Sequence, residues 1–370
     1  MKIGHNAALK PCYWFWEKIR TGFRNCYKGF YGINSAQCIQ CTPCETLCTH
    51  RCVFCWRDME KGTKLETEVW DEPRELVEAF IKNQKDIVKG LNIENYLKNV
   101  DIAEEVYSKL LQKRKIKVAE LGLSKKKVEQ VLKFLPVVRE SDELILVEEI
   151  TPQEFENFRK MIKKEYENAL HPKHAAISLS GEPMMYPYMS ELLEEFHKKG
   201  FTTFIVTNGT LPENIESLDV LPKQLYVTLP APNKEIYEKV CRPLIKDGWE
   251  RLMRTLELLD SLNTRTVIRI TAVKHLNMCN PDQYRKLVER ANPWFLEVKG
   301  FTLEAYASRI GIRLGENIDP RELVPTHEDI LMFSKEISEN FSLFGKIGEN
   351  KESRFVLMEV DPKGPVKIGE

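Results

Sequence analysis

From residue 174 onward the chain repeats one rhythm: a short apolar, β-branched run, a loop carrying glycine, asparagine or proline, then apolar residues at helical spacing. The runs Ala175 to Leu179, Thr203 to Thr207, Gln224 to Leu229, Thr266 to Val273, Phe295 to Lys299 and Arg354 to Val360 are predicted as strands. Helices are predicted around 188–199, 247–261 and 281–291. Alternating strands and helices imply an α/β fold with a parallel sheet, either open or curved into a barrel. Chemistry in such sheets sits at the carboxyl ends of the strands. Here those ends carry Ser180-Gly181-Glu182-Pro183, Asn208-Gly209-Thr210 and, beyond Thr228-Leu229, Pro230-Ala231-Pro232. A glycine lets the backbone approach a ligand and a carboxylate beside it can accept an ammonium, although both sequences are also ordinary turn formers.

The earlier part of the chain has a different pattern. Residues 74–90 read as a helix on the spacing of Leu76, Val77, Phe80, Ile81, Ile87 and Val88. In 94–151, Ile102, Val106 and Leu110 share one face, Ser124 can cap a helix bearing Val128, Val131, Leu132 and Leu135, and a hairpin follows around Ser141-Asp142. Helices followed by a hairpin resemble a winged helix, and Lys125, Lys126 and Lys127 would suit a phosphate backbone. The plainer reading, preferred here, is a helical insertion packed on the main domain. Residues 1–58 read as irregular, aromatic and basic, with Tyr13-Trp14-Phe15-Trp16 taken as core more readily than as a base-stacking surface. The expected division is 1–58 as a cysteine-rich segment over the sheet's mouth, 59–93 with 152–370 as the main domain, and 94–151 as an inserted subdomain.

Charge adds little globally, since 55 basic and 55 acidic residues cancel and leave no overall field drawing the chain to nucleic acid or membrane. Residues 1–58, however, hold eight basic against three acidic residues, enough to approach phosphates locally or to be a solvated face. No run has the length of a membrane span or the form of a signal peptide, which points to a cytoplasmic protein.

The cysteines change the picture most. Eight of ten precede residue 56, and six crowd into CIQCTPCETLCTHRCVFC, Cys38 to Cys55. Such density suits metal ligation in a reducing compartment better than disulfides. Two registers compete: Cys38, Cys41, Cys44 and Cys48 follow a ferredoxin-like spacing, while Cys48, Cys52 and Cys55 follow C-x3-C-x2-C with Phe54 before the last thiol. Three thiols on a 4Fe-4S cluster would leave one iron open to substrate; structural zinc is the bland alternative. By spacing alone Cys12, Cys26 and Cys38 read as buried free thiols.

The C-x3-C-x-aromatic-C loop followed by these strand ends resembles the radical S-adenosylmethionine (SAM) superfamily. Within it the chain resembles the archaeal tRNA 4-demethylwyosine synthases, carried by Asn25-Cys26-Tyr27-Lys28, Gln37 to Pro43, Cys52 to Arg57, Pro172 to Ala175, Ser178 to Pro183, Gly200 to Phe204, Gln224 to Val227 and Pro325 to Glu328. The resemblance implies a partial (β/α)6 TIM-like barrel. It assigns Cys48, Cys52 and Cys55 to a SAM-binding 4Fe-4S cluster and Cys12, Cys26 and Cys38 to a second one, leaving Cys41 and Cys44 outside both. It places SAM against Phe54, Gly181, Glu182, Asn208 and Thr228 and implies pyruvate as co-substrate; Lys28, two residues after the expected ligand Cys26, is the candidate for a Schiff base to its ketone, the alternative being a phosphate-contacting or solvated lysine. SAM cleavage in this family gives a 5′-deoxyadenosyl radical, and the substrate is N1-methylguanosine 3′ of the anticodon of tRNA(Phe). Arg309 and Arg313, with the basic amino-terminal segment, are candidates for tRNA backbone contacts. With no flavodoxin-like domain ahead of the cysteines, electrons are expected from a separate flavodoxin or ferredoxin, and the protein is expected to be a monomer. A radical SAM enzyme on another substrate and a non-catalytic metal or iron-sulfur nucleic-acid-binding protein are the alternatives.

Overall fold

The computed structural model describes residues 1–59 and 62–360; residues 60, 61 and 361–370, which the sequence reading assigns to the main domain, lie outside the described residues. Six parallel strands form its centre in the order Cys38–Thr42, His174–Ile177, Thr202–Thr207, Gln224–Thr228, Arg265–Ala272 and Phe295–Gly300. Helices Met189–Lys198, Gly248–Leu258 and Pro281–Ala291 lie between them in sequence. The arrangement is a partial (β/α)6 barrel. Its two edges are finished by antiparallel strands: Ala7–Leu9 and Lys2–Ile3 on one side, Phe355–Glu359 and Gly345–Asn350 on the other.

Strand alternation sorts the side chains into two cores. Ile205, Leu225, Val227, Ile268, Ile270, Leu296 and Val298 face outward and pack with Leu192, Phe196, Leu252, Leu256 and Val288 from the helices. Phe204, Tyr226, Val267 and Phe295 face inward, where the short helical turn Tyr27–Tyr31 meets them. Tyr27 stacks on Phe355 at 4.5 Å between centroids, and Tyr31 packs edge-on against Phe295 at 5.4 Å. The Tyr31 hydroxyl donates to Glu297 at 2.8 Å, and the same carboxylate accepts from Arg269 Nε at 2.8 Å. Glu297 is fully buried, so this ion pair lies inside the barrel.

Residues 1–58 are therefore more ordered than their sequence suggested. They supply three strands of the large sheet, one of them a barrel strand, and the helix Tyr13–Thr21. The aromatic run 13–16 is divided by that helix: Phe15 is buried, while Tyr13 and Trp14 face a cavity. The apolar pattern also underreported helix Pro152–Leu170, because only Phe155, Ile162, Glu165 and Ala169 along it are buried.

The insertion runs helix Glu94–Lys113, strand Lys115–Lys117, turn Val118–Leu121, helix Lys125–Val131, then strands Val137–Glu140 and Glu143–Leu146. Its three strands pair in the order first, third, second, as in a winged helix, and Ser124 caps the second helix by accepting from Lys127 N. Its core of Leu97, Val100, Val106, Leu110, Ile116, Val131 and Leu144 also takes in Phe155 and Ile162 from helix Pro152–Leu170. Toward the amino-terminal helix it offers Phe134, 6.2 Å from Phe23, and Lys133, which pairs with Glu17 at 2.6 Å.

Removing Glu297 would strand the Arg269 charge inside the barrel. Glu297→Ala is expected to destabilise the cluster-free chain by about 3–5 kcal/mol in urea unfolding followed by circular dichroism. A loss below about 1 kcal/mol would show that the pair does not carry the interior.

Candidate active site

A cavity of about 740 Å³ opens at the carboxyl ends of the parallel strands. Its wall takes Ser178 to Glu182 from beyond one strand, Asn208 from the next, then Thr228, Thr271 and Lys299, with Cys48, Cys52, Phe54 and Cys55 opposite. The structure thus brings together Phe54, Gly181, Glu182, Asn208, Thr228 and the three thiols of the second register. Cys12 reaches this cavity too, whereas Cys26, Cys38 and Lys28 do not line it.

The loop bearing Cys48, Cys52 and Cys55 is held from several sides. Glu182 N donates to Leu47 O at 2.7 Å, Cys48 N to Lys64 O at 3.1 Å, Arg51 N to Cys241 O at 2.9 Å and Val53 N to Val240 O at 2.9 Å. Gly181 adopts φ +71°, and a Cβ there would lie 1.6 Å from the carbonyl oxygen of Cys44. Only glycine lets strand end and loop come this close. Arg313, expected at tRNA phosphates, instead donates to the carbonyls of Val53 (3.1 Å), Cys55 (2.6 Å) and Arg57 (3.2 Å), so its fork clamps the loop. The basic amino-terminal segment is also largely spoken for: Lys18 pairs with Glu165, Arg24 with Glu17 and Glu352, and Arg57 donates to Glu45 O and Thr63. Lys2, Lys10 and Arg51 stay exposed.

The strand geometry decides between the cysteine registers. Cys38 and Cys41 are three apart on one strand and so point to opposite faces. Cys38 joins the inner cluster, whereas Cys41 and Cys44 are fully buried in the outer core. The ferredoxin-like set cannot converge, and Cys41 and Cys44 serve as small apolar side chains.

Six of the other eight thiols form two groups. Cys48, Cys52 and Cys55 interact electrostatically within one, and Cys12, Cys26 and Cys38 within the other. Burial pushes the Cys26 thiol up to about 11 and the Cys38 thiol to about 12, with neighbouring thiols adding to the rise and Lys28 opposing it. Cys48 and Cys55 are raised by burial, and Cys52 by its hydrogen bond with Cys241 and then by burial. Thiolates in such places require a strong compensating positive charge, which ligation by iron provides. Cys26 Sγ accepts from Lys28 N at 3.5 Å and Cys48 Sγ from His50 N at 3.4 Å. Cys241 and His50 approach Cys52 closely, the three ligand atoms lying within 4.8 Å of one another, and His50 Nε2 lies 2.6 Å from the Tyr237 hydroxyl. Nothing in the spacing of the sequence signals Cys241, which comes from the end of helix Lys234–Cys241.

Glu182 is 1% exposed. One of its oxygens accepts from Met184 N at 3.0 Å and Thr207 Oγ1 at 2.6 Å; the other accepts only from Asn208 N at 2.7 Å. Burial raises its pKa despite these three donors and the nearby His50, and no ion pair to Glu182 forms among the described residues. Asn208 Nδ2 donates to Thr49 Oγ1 at 2.8 Å and its Oδ1 accepts from Thr210, which ties the strand end to the cysteine loop.

Comparison with known proteins follows this geometry. The family description Radical SAM superfamily matches residues 142–288. The chain is 39% identical to the S-adenosyl-L-methionine-dependent tRNA 4-demethylwyosine synthase of Pyrococcus abyssi, an alignment covering 98% of this chain and 87% of that protein. The chain belongs to the tRNA 4-demethylwyosine synthase family. Its Methanocaldococcus jannaschii relative of the same name is 31% identical, with 97% and 92% covered. Among solved structures, that described as TYW1 with a lysine-pyruvate adduct bound superposes with TM-score 0.67 at 30% identity, covering 97% of this chain and 91% of the other. Archaeal TYW1 gives 0.61 at 28%, with the same coverage. As a radical SAM family member, the protein uses SAM and a 4Fe-4S cluster, and the donor set fits: three thiols beside a buried carboxylate.

Glu182→Gln keeps the shape and removes the charge. It is expected to lower SAM affinity about 10- to 100-fold with the iron content unchanged, measured by anaerobic equilibrium dialysis. Unchanged affinity would place the SAM ammonium elsewhere.

Proposed function

We propose that the protein converts N1-methylguanosine 3′ of the anticodon of tRNA(Phe), with SAM and pyruvate, to 4-demethylwyosine. What carries this reading is family membership across nearly the whole chain, joined to two separate thiol groups beside one cavity at the strand ends. Cys48, Cys52 and Cys55 would hold the SAM cluster. Together the cluster and SAM supply reductive cleavage of a carbon–sulfur bond and hence a hydrogen-abstracting radical. Gly181 and Glu182 receive the methionine ammonium, and Phe54, Asn208 and Thr228 line the rest of the SAM pocket.

Cys12, Cys26 and Cys38 hold a second 4Fe-4S cluster. Lys28 is 8% exposed, with Nζ 5.8 Å from the Phe204 ring centroid and 5.6 Å from that of Tyr226. As the neutral amine, this Nζ forms a C–N bond to the pyruvate ketone carbon, and the carbonyl oxygen leaves as water. A base taken from its stack enters from the cavity mouth, past Tyr13 and Trp14. Arg309 and the exposed Lys2, Lys10 and Arg51 are the candidates for backbone phosphates. The electrons come from a separate flavodoxin or ferredoxin. The enzyme acts as a cytoplasmic monomer; no helix among the described residues is long and apolar enough to cross a membrane.

Anaerobic reconstitution is expected to load about eight irons per chain. The loaded enzyme, given SAM, pyruvate, a reductant and tRNA(Phe) carrying N1-methylguanosine, should yield a nucleoside of the mass of 4-demethylwyosine. Intact methylguanosine after full SAM turnover would direct the search to another substrate.

A further inference from the structure

A lysine other than Lys28 lines the cavity and acts on the second thiol group. Lys299 is the penultimate residue of strand Phe295–Gly300 and pairs across it with Thr271 and Phe355, so it continues the inward face that carries Phe295 and Glu297. Unlike Lys28 it lines the cavity. Its ammonium lies 5.0 Å from the Tyr27 ring centroid, the residue immediately before Lys28, and it acts electrostatically on the Cys26 thiol, as Lys28 does.

The charge of Lys299 is not consumed locally. The carboxylate nearest along its strand, Glu297, is taken by Arg269 and the Tyr31 hydroxyl, and the Lys299 side chain makes no hydrogen bond or ion pair among the described residues. Glu304, the other acid that acts on it, is solvent-exposed at the cavity rim. Burial and the neighbouring Arg269 both disfavour its charged form, so it gains most from an anion that arrives with the substrate. Arg354 lines the same cavity beside it: Arg354 O accepts from Gly300 N, Nη2 donates to Phe301 O at 3.0 Å, and the buried Nε has no acceptor. The wall next to the second thiol group therefore presents the Lys299 ammonium, suited to a carboxylate, with the Arg354 guanidinium group on the same lining.

The geometry points to Lys299, assisted by Arg354, as the subsite that binds the carboxylate of the 2-oxo acid co-substrate and so sets its ketone toward Lys28. This rests on the reading of Lys28 as the Schiff-base residue. It makes the selection of a 2-oxo acid over a neutral ketone a property of Lys299 and not of the iron site alone.

The test uses the reconstituted holoenzyme, with pyruvate and its neutral amide, pyruvamide, as probes. Adducts are trapped with cyanoborohydride and located by peptide mass, and pyruvate binding is measured separately by calorimetry. The wild type should bind pyruvate at about 10- to 100-fold lower concentration than pyruvamide. Lys299→Met should lose that preference by weakening pyruvate alone, with the adduct still on Lys28, and Lys299→Arg should restore most of it. A Lys299→Met protein that keeps the preference overturns the proposal, as does an adduct on Lys299 itself. Loss of about four irons in Lys299→Met also overturns it, because Lys299 would then be a counter-ion of the second cluster. The two readings fail separately. Calorimetric binding that depends on Lys299 without any lysine adduct would remove Lys28 and leave the carboxylate subsite, whereas absence of pyruvate binding to the wild type removes both.

Discussion

Six parallel strands do not close a barrel, and the inner face they leave must be covered without stranding its polar groups. The segment around residues 26–38 meets that constraint. Tyr27 and Tyr31 fill the interior against Phe295 and Phe355, and the Tyr31 hydroxyl completes the hydrogen bonding of Glu297, which would otherwise hold Arg269 alone. A buried ion pair is stabilising only when its remaining lone pairs are satisfied, so the filling turn and the ion pair depend on each other. Cys26 and Lys28 flank Tyr27, and Cys38 begins the first of the parallel barrel strands. Closing the barrel's open side therefore also places the second thiol group and the amine.

The same arrangement links assembly to function. Burial raises the Cys26 and Cys38 thiols in one group and the Cys48 thiol in the other, so ligation of a metal by these groups would be coupled to folding. The first group sits on a loop held by backbone bonds to residues 240 and 241 and by the fork of Arg313. The second is held by a helix start, a turn and a strand start, three pieces of one amino-terminal segment. Different anchors allow the two thiol groups to be perturbed separately, as the proposed division of tasks between them requires.

Much of this was legible in the sequence where period and turn chemistry agreed. Strands such as 202–207 and 224–228 and the residues at their ends stand within a residue or two of expectation, because buried parallel strands read as β-branched runs ended by glycine or asparagine. The strand Cys38–Thr42 was hidden, since its sequence is dominated by cysteine and polar residues; had it been read as a strand, opposite faces for Cys38 and Cys41 would have excluded the ferredoxin-like register at once. Arg313 was misplaced because its partners are backbone carbonyls, which carry no sequence signature. Lys299 gave no signal for a related reason: its meaning depends on Glu297 being already engaged by groups from two other parts of the chain.

On the proposed division of tasks between the two thiol groups, Cys26→Ala is the decisive variant. In a folded variant that keeps the first cluster, SAM should still be cleaved to methionine and 5′-deoxyadenosine at a measurable rate, while formation of the tricyclic base on tRNA is abolished. Loss of SAM cleavage together with base formation in that variant would contradict the account.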